Sequence, residues 1–293
     1  MGSLVAALAS YLDAKRQNGL WLVRMENLDP PREQPGADQL ILQALKAHQL
    51  HWDQDVVFQS QRHHAYLAAS QRLEKYHHAF RCSCSRSQLA PYNNLHLKPC
   101  PAPATDHYAL RVSVHRQVAL PECFTDRWQG LIKQNLATEV GDFVILRKDK
   151  LYAYQLAVVV DDIAQGVTHI VRGDDLMDST LRQIYLTQLL RGAHDADLGM
   201  TDKITPIEKP SNQTPPKTTA SKAIFYAHIP VVRGANGQKL SKQNHAPALD
   251  NNTPHANLIT AMRYLNLPVT DQLNDYDIHT LLQWGTEHWP LTR

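Results

Sequence analysis

Leu4, Leu8, Tyr11 and Leu12 recur at i, i+4, i+7 and i+8, the spacing that gathers them on one helical face, and predict an amphipathic helix over 3–16. The apolar run Leu20-Trp21-Leu22-Val23, continuing into Arg24-Met25, reads as a strand, and a proline-rich loop follows through Asp29-Pro30-Pro31-Arg32. Helical spacing returns over 37–48 and 62–76. Strand-like stretches recur at 108–114, 142–147 and 168–172, and a long helix is expected over 179–190. Strands that alternate with helices predict an α/β fold with a parallel sheet. Residues 193–222 break the pattern. Glu208-Lys209-Pro210-Ser211-Asn212-Gln213-Thr214-Pro215-Pro216 is poor in bulky apolar groups and rich in proline, so a flexible insertion is expected there. Order resumes at 225–232, and 257–284 supports two short helices; no internal repeat is visible.

Composition narrows the class without choosing a function. The chain has 293 residues, 43% hydrophobic and 20% charged, which is enough to bury a core and too apolar for a disordered chain. No run reaches the roughly 18 apolar residues of a bilayer crossing. The nearest, 151–160, is interrupted by Gln155 and ends on Asp161 and Asp162. The N-terminus shows a helical face instead of a basic leader ahead of an apolar stretch, so a folded, cytoplasmic protein with no membrane partner is expected. Lys plus Arg number 30 against 28 Asp plus Glu, a net charge of +2 that neither demands nor forbids a nucleic acid.

Chemistry begins with the cysteines. Cys82-x-Cys84 followed by His96-x-x-x-Cys100 supplies three thiols and an imidazole, the donor set of tetrahedral zinc. This proximity favours a metal over unligated thiols beside a surface histidine. Four protein ligands close the coordination shell, so the ion would be structural. Cys123 lies apart and is expected to be a buried small hydrophobe.

A second pattern, Lys239-Leu240-Ser241-Lys242-Gln243, follows the turn-rich Arg233-Gly234-Ala235-Asn236-Gly237-Gln238. Two lysines three apart on a mobile loop can reach a polyphosphate and neutralise charge as pyrophosphate leaves. Taken alone, a solvated lysine-rich loop is the better reading of so short a match.

It does not stand alone. Arg24-Met25-Glu26-Asn27-Leu28-Asp29-Pro30-Pro31-Arg32, Gln59-Ser60-Gln61-Arg62, the stretch from Asp142 to Arg147, Tyr154-x-x-Ala157 running to Asp161-Asp162, and Ile170-Val171-Arg172-Gly173 precede it in order. In this order and spacing the series resembles the catalytic core of class I glutamyl-tRNA synthetases, with 239–243 in place of their KMSKS loop. The resemblance covers about residues 2–192 and 225–290, and is strongest to short paralogues that modify tRNA(Asp). It implies a Rossmann-type domain that binds ATP, with Mg²⁺, and L-glutamate. Such a domain forms glutamyl-adenylate and passes the glutamyl group to queuosine in the anticodon loop of tRNA(Asp).

Carried over by position, Glu26, Tyr154 and Arg172 match glutamate-binding residues. Taken alone, they read as a loop carboxylate, a half-buried core aromatic and a strand-end salt bridge. Lys242 matches the ATP-contacting lysine, with Lys239 beside it in the catalytic loop. Cys82, Cys84 and Cys100 match zinc ligands, and His96 stands where tyrosine is usual, a change that offers nitrogen for a phenol oxygen.

Departures from the family are equally legible. Its first strand carries R-F-A-P-S-P-[ST]-G and the tetrad H-x-G-[HS], whereas this chain opens at Met1-Gly2-Ser3, coinciding with the last three positions of that tetrad. Gly2 and Ser3 remain as an ATP-binding helix N-terminus. The chain as given is therefore expected to activate glutamate poorly. One reading is an impaired tRNA-binding remnant; the favoured one places the start of translation upstream. Asn27 replaces an aspartate and Lys150 a turn glycine.

The expected division is 1–80 for the first part of the catalytic domain and 81–115 for a zinc-bearing insertion. The second part of the catalytic domain falls at 116–192, the flexible insertion at 193–222, and the KMSKS-like loop with C-terminal helices at 223–293. Only 50 residues follow Gln243, so no anticodon-binding domain is expected, and the protein is expected to act as a monomer.

Overall fold

The computed structural model describes residues 1–29, 33–92, 95–98, 100, 106–115, 119–192, 223–234 and 249–290. The chain begins with α1 (Gly2–Arg16), whose Leu4, Val5, Leu8, Ala9 and Leu12 are buried as the apolar spacing requires. Then come β1 (Arg24–Met25), α2 (Ala37–Ala47), β2 (Val57–Phe58), α3 (His63–Lys75), β3 (Ala79–Cys82) and α4 (Arg86–Leu89). The middle of the chain forms β4 (Ala109–Val112), β5 (Cys123–Asp126), β6 (Gly130–Lys133), β7 (Phe143–Leu146), α5 (Tyr154–Gln165), β8 (His169–Gly173) and α6 (Met177–Arg191). β9 (Phe225–Ile229), α7 (Pro254–Tyr264) and α8 (Ile278–His288) complete the described elements. The expected insertion at 193–222 lies outside the described residues, as do Lys239 and Lys242.

Parallel pairing holds for β1 with β2, and for β9 with both β5 and β8. The four-stranded sheet has the order β6-β5-β9-β8, with β6 antiparallel to β5. The strands expected at 108–114 and 142–147 are not part of it. They form β4 and β7 of a separate antiparallel sheet, β3-β4-β7, because the chain between them turns through the β5–β6 hairpin instead of a crossover helix.

Two further expectations change. The strand predicted over 20–25 contracts to β1. Trp21 instead exchanges bonds with Asp53, its N–H donating to Oδ2 at 2.8 Å and its carbonyl accepting from the Asp53 N–H at 2.8 Å. Cys123 is exposed, because β5 alternates and turns Phe124 and Asp126 inward.

Two apolar cores hold the elements. One gathers around α3, α5 and α6 against β4 and β7 and includes the fully buried Tyr66, Ile145, Leu156 and Tyr185. The other packs α1 against α7, α8 and β1. There the buried Asp13 accepts from Arg127 at 2.9 Å and from Trp289 Nε1 at 2.9 Å, joining the first helix to the chain beyond α8. No helix among the described residues is long and apolar enough to cross a membrane.

Candidate active site and metal centre

Arg172 lies on β8, Tyr154 is the first residue of α5, and Glu26 directly follows β1. The fold brings these three together. Arg172 Nη1 donates to the Tyr154 hydroxyl at 3.4 Å. The Glu26 carboxylate feels the charge of Arg172, and the Tyr154 hydroxyl feels that of Glu26.

Glu26 lines a cleft of about 480 Å³ between the segment leading into β1 and the edge strand β8, together with Arg24, Asp162, Gln165 and Thr168. Loss of surrounding water pushes its carboxyl above the usual range; Arg24 opposes this, and Asp162 and Asp161 add to it. Burial, then Glu26, likewise raises the Tyr154 phenol. A cation such as an ammonium placed beside Glu26 would favour its ionised form.

Charged groups beneath the site hold β1 in place. Arg24 Nη1 donates to Asp162 at 2.9 Å, while the fully buried Asp161 accepts from Arg62 Nε at 2.5 Å, Gln59 Nε2 at 2.9 Å and the Tyr66 hydroxyl at 2.8 Å. Desolvation raises the Asp162 carboxyl against the pull of Arg24. The quoted sequence series around Arg24, Gln59–Arg62 and Asp161-Asp162 is thus a single cluster fixing β1 and β2 onto α5, and removing one partner would leave a buried charge uncompensated.

Gly2 and Ser3 open α1 and line a second cavity, of about 410 Å³, together with Arg172, Gly173, Asp175 and Val231. Free N–H groups at a helix start suit an anion. The departure at Asn27 is accommodated by Ser60, whose N–H donates to Asn27 Oδ1 at 3.0 Å and whose hydroxyl accepts from Nδ2 at 2.9 Å. Lys150 keeps the left-handed backbone of a turn glycine, with φ 66°, while its ammonium lies 4.0 Å from the Tyr108 ring centroid and donates to the Asp106 carbonyl at 2.8 Å.

The second centre forms where β3 ends. Cys82, Cys84, His96 and Cys100 bring one donor atom each to within 4.8 Å of one another. Cys100 Sγ lies 3.4 Å from Cys82 Sγ and 3.0 Å from Cys84 Sγ, and His96 Nε2 lies 2.9 Å from Cys100 Sγ and 3.9 Å from Cys84 Sγ. A tetrahedron with metal–sulfur bonds of about 2.3 Å has edges of about 3.8 Å, so the four donors fit around one ion with small adjustments.

The turn between Cys84 and His96 is fixed by Ser85, whose hydroxyl accepts from the Gln88 N–H while its own N–H donates to Gln88 Oε1. Burial and the neighbouring thiols raise the Cys100 thiol. Cys82 is lowered despite its burial, by the Cys84 backbone N–H, Cys100 and Arg111. Behind the ligands, Asp142 accepts from His96 Nδ1 at 2.9 Å, leaving Nε2 directed at the cysteines. Gly141 makes room for this: its φ is +68°, and a Cβ there would stand 2.7 Å from the His96 carbonyl oxygen.

Sequence reading missed Asp142 behind the candidate metal cluster, and also Thr180, His228 and Asp126 behind Arg172. Asp142 heads an apolar strand, and His228 interrupts the apolar 225–232. Those positions are the signals available in the sequence.

A sheet of parallel and antiparallel strands, an arginine–tyrosine–glutamate group near a helix start, and a Cys₃His cluster are together the features of a class I tRNA synthetase core. The chain belongs to that family: residues 1–198 match the catalytic domain of class I tRNA synthetases for E and Q. It is 41% identical over 99% of its length to the glutamyl-Q tRNA(Asp) synthetase of Vibrio parahaemolyticus serotype O3:K6, covering 88% of that protein. It is 42% identical over 98% of its length to the glutamyl-Q tRNA(Asp) synthetase of Pseudomonas fluorescens, covering 87%. In fold it is similar to the glutamate tRNA ligase of Elizabethkingia meningosepticum, solved in complex with its amino acid, with a TM-score of 0.67 at 17% identity. The alignment covers 99% of this chain and 62% of that one.

Proposed function

We propose that this protein activates L-glutamate with ATP and transfers the glutamyl group to queuosine in the anticodon loop of tRNA(Asp). The observation that carries this reading is the grouping of Arg172, Tyr154 and Glu26, the arginine bonded to the tyrosine hydroxyl and both coupled electrostatically to the glutamate, with Arg172 on the same cavity as Gly2 and Ser3. Identity above 40% to proteins named for this activity supports it.

Arg172 and Tyr154 receive a carboxylate of glutamate, and Glu26 receives its ammonium. The other carboxylate attacks the α-phosphorus of ATP and pyrophosphate leaves; the start of α1 receives the phosphates, Lys239 and Lys242 are assigned to neutralise their charge, and Mg²⁺, when bound with ATP, would add to that neutralisation. A hydroxyl of the queuosine ring then attacks the acyl carbon, and AMP departs. Catalysis rests on positioning and on neutralising developing charge, with no covalent intermediate on the protein.

Zinc held by Cys82, Cys84, His96 and Cys100 would have a closed shell and supply folding energy. The protein works as a monomer in the cytoplasm, where its ATP and tRNA substrates occur.

Glutamate-dependent exchange of labelled pyrophosphate into ATP, measured on the natural gene product, tests the first half of the reaction. Exchange with L-glutamate and not with L-glutamine or L-aspartate is expected. Exchange that prefers another amino acid would overturn the assignment.

A further inference from the structure

Arg172 is gripped from behind. Its Nε donates to His228 Nε2 at 3.0 Å and its Nη2 donates to Thr180 Oγ1 at 2.8 Å, with Thr180 Oγ1 itself 3.1 Å from His228 Nε2. His228 is completely buried, and its Nδ1 stands 2.6 Å from Asp126 Oδ2. Asp126 also accepts from the backbone N–H groups of His228, Trp128 and Gln129, at 3.1, 2.9 and 2.8 Å.

These contacts leave one arrangement of protons. A guanidinium nitrogen has no lone pair, so Arg172 Nε must be the donor and His228 Nε2 the acceptor. The imidazole proton then resides on Nδ1, where the Asp126 carboxylate receives it. The three side chains come from adjacent strands, Asp126 on β5, His228 on β9 and Arg172 on β8, and Arg172 pairs with His228 in the sheet register. The line is therefore anchored in backbone hydrogen bonds at each step.

We infer that His228, oriented by Asp126, is a positioning residue that fixes the plane of the Arg172 guanidinium, so that Nη1 meets the substrate carboxylate beside the Tyr154 hydroxyl. The inference rests on the reading of Arg172, Tyr154 and Glu26 as the glutamate site. With Nε and Nη2 committed to His228 and Thr180, rotation of the guanidinium is arrested before the ligand arrives. The entropy of ordering it is then not charged against binding. Without His228 the arginine remains charged and present, but its Nε loses its acceptor and its fork is free to turn away.

Two measurements test this. Nitrogen-15 histidine spectra of the wild-type protein, with the His228 signal identified by its disappearance in His228→Gln, should show His228 as the tautomer protonated at Nδ1. A proton on Nε2, alone or in an imidazolium, would overturn the proposal whether or not any variant folds.

In pyrophosphate exchange, His228→Phe should raise the glutamate KM roughly tenfold or more, the scale of one hydrogen bond to a charged group. The ATP KM and kcat at saturating glutamate should stay within about threefold of wild type. His228→Gln, whose Oε1 can accept from Arg172 Nε, should recover most of the loss. Equal falls in kcat and in affinity for both substrates, or an unchanged glutamate KM, would contradict a positioning role. If wild type binds no glutamate by calorimetry, the site reading fails, while the tautomer still decides the His228–Arg172 contact.

Discussion

Asp142 Oδ2 accepts from His96 Nδ1 at 2.9 Å although the two residues are 46 positions apart, and Asp142 Oδ1 accepts from the Val114 N–H at 2.9 Å. One carboxylate therefore orients the histidine of the Cys₃His cluster and ties down the chain just beyond β4. Asp142→Asn should weaken zinc affinity by roughly tenfold to a hundredfold, the usual cost of losing such a partner behind a ligand. Competition with a chromophoric chelator measures this, and unchanged affinity would remove Asp142 from the site. Elemental analysis should find one zinc per chain in wild type and none in a Cys82→Ala plus Cys100→Ala variant.

Gly141 presses on the backbone of His96 with φ +68° and ψ −170°, a region essentially closed to residues with a Cβ. Gly141→Ala should destabilise the protein by about 2 kcal/mol or more, since both backbone strain and a clash with the His96 backbone must be relieved. Thermal unfolding checks it. At roughly 2–4 °C per kcal/mol for a chain of this order, the fall in Tm is easily read, and a change below 1 °C would show that the turn relaxes freely.

Tyr154→Phe removes only the hydroxyl bonded to Arg172. A hydrogen bond of net worth about 0.5–1.5 kcal/mol corresponds to a rise in glutamate KM of roughly twofold to tenfold, with ATP affinity preserved. Lys242→Ala should act on the other substrate, lowering the exchange rate at least roughly tenfold. Steady-state exchange kinetics separate the two, and an effect of Tyr154→Phe confined to ATP would reverse the assignment.

Burial would raise the Asp126 carboxyl, but bonds from His228, Gln129 and Trp128 hold it below the ordinary aspartate range. A carboxyl lowered in the folded state contributes stability that is fully present above its unfolded pKa, about 4, and is lost as pH falls through the folded value. The stability gap between wild type and Asp126→Asn should therefore be constant from about pH 5 to 7 and shrink below about pH 4. Urea unfolding across that range measures it, and a gap that widens on acidification would contradict the sign.

Much of this was legible in the sequence because it rests on local spacing. Leu4, Leu8 and Leu12 gave α1, and the spacing of Cys82, Cys84, His96 and Cys100 gave their meeting in one Cys₃His cluster, since one period or one short loop contains the information. Glu26, Tyr154 and Arg172 were expected to act together only through an ordered series of motifs, because nothing in their own neighbourhoods in the sequence separates a substrate contact from a salt bridge; the structure brings the three together.

What escaped is long-range. Asp126 and His228 are 102 residues apart and meet only because β5 and β9 pair in parallel. Arg24 and Asp162 are 138 apart and meet only when β1 lies over α5. Cys123 was misplaced for a simpler reason: a lone residue carries no period, and the face of a strand is set by its neighbours Phe124 and Asp126.

The most direct test of the central claim is transfer of radiolabelled L-glutamate by the natural gene product to three purified acceptors: queuosine-containing tRNA(Asp), tRNA(Asp) lacking queuosine, and tRNA(Glu). The proposed function predicts ATP-dependent label on the first alone, stable to removal of the 3′-terminal nucleotides. Label on the 3′ end of tRNA(Glu), with none on queuosine-containing tRNA(Asp), would contradict the account.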